Sequence, residues 1–209
     1  VHEPYAGGGD PAGELADLYA SRRTNVSGRV AARLVKRDLV FGGMLVAAGK
    51  ADGMVAGAAN PTANVIQAAA LTIGYEEGIS TPSSFFIMVL PDGRTLFYAD
   101  CAVNIAPTPA QLADIGVSTG RSYRRLMGAE PAVAFLSFST KGSASHALVD
   151  AVQEAVRAAR EKSPDIACDG EFQADTALAP EVAAKKIKEP GAVAGRATVL
   201  IFPDLQSGN

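Results

Sequence analysis

Cysteine is scarce in this chain of 209 residues: Cys101 and Cys168 are the only two. They allow one bridge at most, which excludes a disulfide-built scaffold and fits a reducing cytoplasm. No charge of one sign dominates, since 19 Lys and Arg stand against 22 Asp and Glu, a net charge of −3. A nucleic-acid module would carry a basic face, so that partner is not expected. No stretch reaches the roughly 18–20 apolar residues of a membrane-spanning helix. The best apolar run, Phe85–Leu90, has strand length and stops at Pro91-Asp92-Gly93. Val1-His2-Glu3-Pro4-Tyr5 lacks a basic region followed by an apolar one, so neither a signal peptide nor a membrane partner is expected. Glycine and proline follow no period and charge is too low for self-repulsion, which excludes collagen, coiled coil and wholesale disorder.

What is present is a globular composition, 48% hydrophobic and 20% charged. The length suits one large domain or two small ones. Tyr5–Gly13 is rich in Gly and Pro and reads as a flexible lead-in. Leu15, Leu18 and Tyr19 recur at helical spacing and predict a helix from Glu14 to about Arg23. A second helix is predicted from Ser27 to Ala48, ended by Gly49 or broken earlier at Gly42-Gly43. Asp52–Ala58 is short and apolar and reads as a buried strand, followed by a helix over Pro61–Ile73.

Two strands, Ser84–Leu90 and Thr95–Ala99, flank the hairpin residues Pro91-Asp92-Gly93-Arg94. A helix over Pro107–Leu126 follows, with Thr108 as cap and Pro109 at its first position. Strand Ala132–Phe138, loop Ser139–Ser145, helix His146–Lys162 and strand Asp165–Asp169 come next. A helix near Ala177–Lys186 leads to strand Ala197–Phe202. This alternation predicts an α/β fold with a mostly parallel sheet and helices on both faces. Ligands of such sheets bind at the carboxyl ends of strands. Gly57–Asn64, Ser139–Ser145, Asp169–Asp175 and Pro203–Asn209 are the polar loops at those ends.

The stretch Ser137-Phe138-Ser139-Thr140-Lys141-Gly142-Ser143 sets hydroxyls, a glycine and a cation before a helix, the makings of an anion site. It lacks the Walker A spacing, and a well-capped helix explains it equally well. Asn60-Pro61-Thr62-Ala63-Asn64 repeats the logic, with Gln67 one turn on; a plain helix cap is slightly favoured there. Asp169-Gly170-Glu171-Phe172-Gln173-Ala174-Asp175 offers carboxylates for a general base or a metal, although a hydrogen-bonded turn fits better. Arg22 and Arg23 suit either a helix C-terminus or a phosphate. His2 and His146 lack a Cys or Ser partner at a telling spacing, and no G-x-S-x-G elbow occurs. The cysteines read as core packing.

Taken together, several blocks resemble the phosphate acetyl/butyryltransferase family, and within it phosphate acetyltransferase. They are Asp52–Ala58 with Thr62-Ala63, Ser84-Phe85-Phe86, Tyr98–Asn104, Pro107–Ala113, Leu136–Ser143, Asp169–Asp175, Val193–Ala197 and Ile201–Asn209, in family order. The resemblance implies reversible acetyl transfer between CoA and inorganic phosphate by direct attack of the CoA thiolate on acetyl phosphate. It implies cytoplasmic homodimers with CoA and acetyl phosphate as small-molecule substrates, and no metal or prosthetic group. Two α/β domains with a cleft between them are implied. Residues 1–13 would be the lead-in, 14–75 part of the first domain and 76–209 the second.

The family's substrate-contacting arginine corresponds to Arg22 or Arg23. Its Ser-Thr-Ala-Asp turn falls on Pro61-Thr62-Ala63-Asn64, and a further family arginine falls on Gln67, where an amide replaces the cation. Substrate binding is thus expected from Arg22, Arg23, Thr62, Asn64, Gln67, Ser139, Thr140, Lys141 and Ser143. The family's catalytic Ser, Arg and Asp come after the block that ends here at Asn209, so the chain reads as a fragment of a longer enzyme. Two other readings stand beside this one. The first is a non-catalytic domain that senses acyl-CoA or mediates oligomerisation; the second is a phosphate butyryl- or propionyltransferase.

Overall fold

The computed structural model describes residues 10–209. The lead-in over residues 1–9, His2 included, lies outside the described residues. The chain divides after Tyr75 into two compact units, residues 1–75 and 76–209.

The described part of the first unit is helical: α1 (Pro11–Ser21), α2 (Gly28–Val35), α3 (Asp38–Ala47) and α4 (Thr62–Thr72). Helix α1 starts earlier than its apolar spacing suggests, because Asp10 caps Gly13 N and Pro11 takes the first position. Pro11–Gly13 therefore belong to this helix and not to the lead-in. The single helix expected over Ser27–Ala48 is two, parted at Lys36-Arg37, where Arg37 is extended at ψ 129°. The glycines Gly42 and Gly43 do not break α3. A Cβ on Gly43 would overlap the Thr72 side chain, so glycine there permits close packing of α3 on α4.

Leu15, Tyr19, Ala31, Val35, Val40 and Met44 form the core of this unit. The strand expected over Asp52–Ala58 is absent, and Val55 is fully exposed. A strand needs a hydrogen-bonded neighbour, and residues 10–75 contain no other extended segment to supply one.

The second unit is built on a five-stranded sheet in the order β1-β2-β5-β3-β4. The strands are β1 (Phe85–Val89), β2 (Thr95–Ala99), β3 (Ala132–Leu136), β4 (Ala167–Phe172) and β5 (Val199–Ile201). β1 and β2 form the expected antiparallel hairpin, while β2, β5, β3 and β4 run parallel. Side chains alternate across β3 as the pleat requires. Val133 and Phe135 meet α5 (Pro109–Met127) and α6 (Ala147–Lys162) on one face. Ala134 and Leu136 meet Ala177, Ala183 and Val193 on the other.

That second face is covered by α7 (Ala174–Leu178) and α8 (Pro180–Lys186), two short helices where one was expected. Pro180 divides them, because it has no N–H to continue a helix and biases Ala179 to an extended conformation. Thr108 and Gln111 close a reciprocal capping box at the start of α5. After β5 the chain turns into a short helix, α9 (Leu205–Gly208). Among the described residues no helix is long and apolar enough to cross a membrane.

Candidate functional site at the carboxyl edge of the sheet

The end of β4 determines the shape of the neighbouring loop. Phe135 pairs with Gly170 and Leu136 with Phe172, so Glu171 is an extra residue in β4, a bulge. Gly170 is required there, since a Cβ would sit 2.7 Å from the Phe135 carbonyl oxygen. The bulge lets the buried Glu171 carboxylate serve the loop after β3. It accepts from Ser139 Oγ at 2.9 Å, Gly142 N at 2.7 Å and Gln153 Nε2 at 3.0 Å. Burial opposes the charged form, but these donors outweigh it and hold the Glu171 carboxyl below its ordinary range.

The rest of the loop is fixed in the same way. Thr140 Oγ1 accepts from Gln173 N at 2.9 Å, and Ser143 Oγ accepts from Thr140 N at 3.0 Å. Lys141 takes the left-handed conformation at φ 48°. Its ammonium reaches Asp169 Oδ1 at 2.6 Å and Gly170 O at 2.8 Å, above the Phe172 ring. Arg160 meets the same Asp169 oxygen at 2.5 Å. Ser139 and Thr140 are buried, whereas Lys141 and Ser143 remain exposed.

Asp169, Glu171 and Asp175 do not converge. Asp169 and Glu171 lie in β4 itself, and Asp175 pairs with Lys186 at 2.8 Å. Among the described residues no three His, Cys, Asp or Glu side chains gather as metal ligands.

The neighbouring loop, after β2, is organised by Asp100, which is nearly fully buried. Its carboxylate accepts from Ser84 Oγ and N, from the backbone N–H groups of Ala102, Val103 and Asn104, and from Asn104 Nδ2. Burial works against ionisation, but so many donors keep this carboxyl below its usual range. The C-terminal segment is tied to the same loop. Asn209 Nδ2 donates to Cys101 O at 2.7 Å and Leu205 N to Ile105 O at 3.1 Å.

Between these loops lies a cavity of about 340 Å3, at the carboxyl ends of β2, β3 and β5, where parallel sheets take ligands. Ile105, Pro107, Leu112, Phe138, Leu148 and Val152 give it an apolar lining.

The other expected site residues lie in the first unit. Asn64 and Gln67 line a cavity of about 310 Å3 together with Arg37, Asp38 and Asn60. Thr62 opens α4. Arg22 Nη2 donates to Ala47 O at 2.9 Å; Arg23 donates to Leu71 O and lies over the Tyr19 ring at 4.7 Å. Ser139, Thr140, Lys141 and Ser143 thus share one loop of the second unit, whereas in the first unit only Asn64 and Gln67 line the same cavity. Sequence reasoning missed Asp100 and the apolar cavity. The run Asp100–Asn104 does carry a signal for the former, a carboxylate followed by several N–H groups it can collect.

The second unit is thus an α/β sheet covered on both faces, with a cavity at its carboxyl edge. The chain matches the family model Phosphate acetyl/butaryl transferase over residues 9–209, and it belongs to that family. It is 46% identical over 200 residues to the phosphate acetyltransferase of Thermoanaerobacterium thermosaccharolyticum, which covers 92% of this chain and 60% of that protein. With the phosphate acetyltransferase of Bacillus subtilis the identity is 41%, over 94% of this chain and 60% of the relative. The EutD phosphotransacetylase from Staphylococcus aureus superposes with a TM-score of 0.85 at 40% identity, covering 95% of this chain and 62% of that one. The chain therefore spans about 60% of the length of these relatives.

Proposed function

We propose that the whole protein containing this chain is a phosphate acetyltransferase, exchanging an acetyl group between CoA and inorganic phosphate. The observation that carries this reading is the 46% identity to a phosphate acetyltransferase across 92% of the chain. In the proposed step the CoA thiolate attacks the carbonyl carbon of acetyl phosphate. A C–S bond forms, the bond between the carbonyl carbon and the bridging oxygen breaks, phosphate leaves with that electron pair, and the thiol proton passes to a base. Donors aimed at the developing oxyanion lower the barrier. The catalytic Ser, Arg and Asp are assigned to sequence after Asn209, and the reaction is assigned no metal or prosthetic group.

Within this chain, Lys141 and Ser143 are the exposed candidates of their loop for substrate contact, while Ser139 and Thr140 hold its shape from inside. Arg22, Arg23, Thr62, Asn64 and Gln67 are proposed to serve the phosphate end from the first unit. Location in the cytoplasm and homodimer formation complete the reading. The edge of β1, unpaired among the described residues, favours a second copy, because Phe86, Ile87, Met88 and Val89 are exposed there without a charge or proline among them.

Isotope exchange tests the direct attack. With acetyl phosphate and labelled phosphate, exchange should require CoA; exchange without CoA would reveal an acetyl-enzyme and overturn the mechanism.

A further inference from the structure

We propose that the amino edge of the second unit's sheet carries a further ligand site, which takes a small phosphate monoester with an apolar body. It lies at the opposite end of β2 and β5 from the carboxyl-edge cavity, and it does not depend on the acetyl-transfer reading.

A cavity of about 380 Å3 opens where β2 and β5 begin, lined by Arg94, Tyr123, Leu178, Pro180, Arg196 and Thr198 among others. Its volume falls within the range of ligand pockets, roughly 300–1,000 Å3. Parallel pairing sets Phe97 opposite Val199. Counted back three residues on each strand, the same register sets Arg94 beside Arg196, at the spacing of neighbouring strands, about 4.8 Å. No carboxylate lines the cavity. Asp92, outside the lining, takes Arg94 Nε at 2.8 Å and leaves both Nη groups without a partner among the described residues. The Arg196 side chain makes no hydrogen bond or ion pair among the described residues. Two guanidinium groups side by side repel each other, and an anion between them relieves the repulsion while accepting from both.

The main chain holds these cations in place. Gly195 N donates to Thr176 O at 2.8 Å and Ala197 N to Ala177 O at 3.0 Å, so the backbone on both sides of Arg196 is tied to α7. Gly195 sits at φ 74°, and a Cβ there would lie 2.6 Å from Pro180 Cα, so glycine lets this turn close on the start of α8. Arg94 follows the Pro91-Asp92-Gly93 turn, and its carbonyl accepts from Leu90 N at 2.8 Å. A site fixed in advance loses less entropy on binding.

Two hydroxyls complete the donor set. Tyr123 is only 7% exposed and lies edge-on to the Phe97 ring, yet its phenol has no hydrogen-bond partner among the described residues. A phenol so deeply placed at a cavity wall is a donor in want of an acceptor. Thr198 Oγ1 accepts from Ala132 N at 3.0 Å, which leaves its own proton to donate. Two guanidinium groups and two hydroxyls match the three oxygens and nearly double charge of a phosphate monoester better than a singly charged carboxylate. Leu178 and Pro180 offer apolar surface to the rest of such a molecule.

The test is calorimetric binding of phenyl phosphate, and separately of benzoate, to the whole protein as wild type, Arg196→Met and Tyr123→Phe. Arg196 is exposed and Tyr123→Phe keeps the ring, so both variants should fold. Wild type should bind phenyl phosphate at least about tenfold more tightly than benzoate. Arg196→Met should weaken phenyl phosphate at least about tenfold and Tyr123→Phe about threefold or more, the loss of charge-assisted hydrogen bonds. Acetyl transfer measured without phenyl phosphate should stay close to wild type in both variants. A wild type that does not bind phenyl phosphate, or binds benzoate equally well, would overturn the proposal. Variants that bind phenyl phosphate as wild type does would place it elsewhere, in the substrate cleft, and overturn it too. A parallel loss of acetyl transfer in both variants would overturn the separation of the two sites. Absence of acetyl transfer in a wild type that binds phenyl phosphate as expected would sink the enzyme reading and leave this site standing.

Discussion

Ser139 and Glu171 join the loop after β3 to the bulge in β4 through a buried hydrogen bond of 2.9 Å. The same carboxylate also takes the Gly142 N–H and the Gln153 amide. Removing the hydroxyl leaves a buried charge short of one donor. Ser139→Ala should destabilise the protein by about 1–3 kcal/mol, read by urea denaturation. An unchanged midpoint would mean that the loop is not held from this point.

Glu171 also makes stability depend on pH. Its folded pKa lies below the ordinary value of 4.5, so its contribution is fully present above about pH 4.5. It is lost as pH falls through the lowered folded value. Asp100, and Asp114 in α5, where burial is outweighed by Lys162 and the Ser80 donors, are both held below 3.8 and lose their contributions as pH falls through their own lowered values. Glu171→Gln should flatten the part of the acid limb just below pH 4.5 and leave the part due to the two aspartates. A limb of unchanged shape would contradict this.

Asp100 collects three backbone N–H groups from Ala102 to Asn104, for which no backbone acceptor is present among the described residues. Asp100→Ala should cost about 3 kcal/mol or more, since charge-assisted hydrogen bonds are among the stronger ones. Hydrogen exchange of those three amides provides the local readout. They should lose protection in the variant well before the β3 amides do.

Both cysteines are buried and neither forms a disulfide. Burial, reinforced by the charges of Asp165 and Asp169, pushes the Cys168 thiol up to about 12. Burial raises Cys101 as well, with Asp100 adding to it. Neither should react with a thiol reagent at pH 8 in the folded protein, and both should react after denaturation. Rapid native labelling of either would contradict the packing described.

Gly116 of α5 faces the Phe135 ring so closely that a Cβ would overlap it. Alanine gains about 1 kcal/mol of helix propensity over glycine, but overpacking costs about 1–3 kcal/mol. Gly116→Ala should therefore lower the melting temperature. A rise would show that the α5–β3 interface has room to yield.

The second unit was largely legible because its strands and helices carry strong, local signals. Phe85–Leu90 is bounded by a Pro-Asp-Gly turn, and Thr108-Pro109 announces α5 with a cap and a first-turn proline. The first unit was harder. Asp52–Ala58 has the composition of a strand, but pairing is a tertiary matter, and no other segment among residues 10–75 is extended. Gly42-Gly43 looked like a break, yet the glycines serve helix packing, which sequence spacing cannot distinguish. At the site, the polar residues of Ser139–Ser143 were visible. Their attachment to Glu171 was not, because it depends on a bulge that moves one side chain out of register. The apolar cavity left no trace, since its lining comes from distant stretches that each read as ordinary core.

The most direct measurement is formation of acyl-CoA by the whole protein from CoA with acetyl phosphate, run beside butyryl phosphate. Acetyl-CoA should form with CoA dependence, and faster than butyryl-CoA. No transfer from either donor, or a clear preference for the butyryl group, would contradict the assignment as a phosphate acetyltransferase.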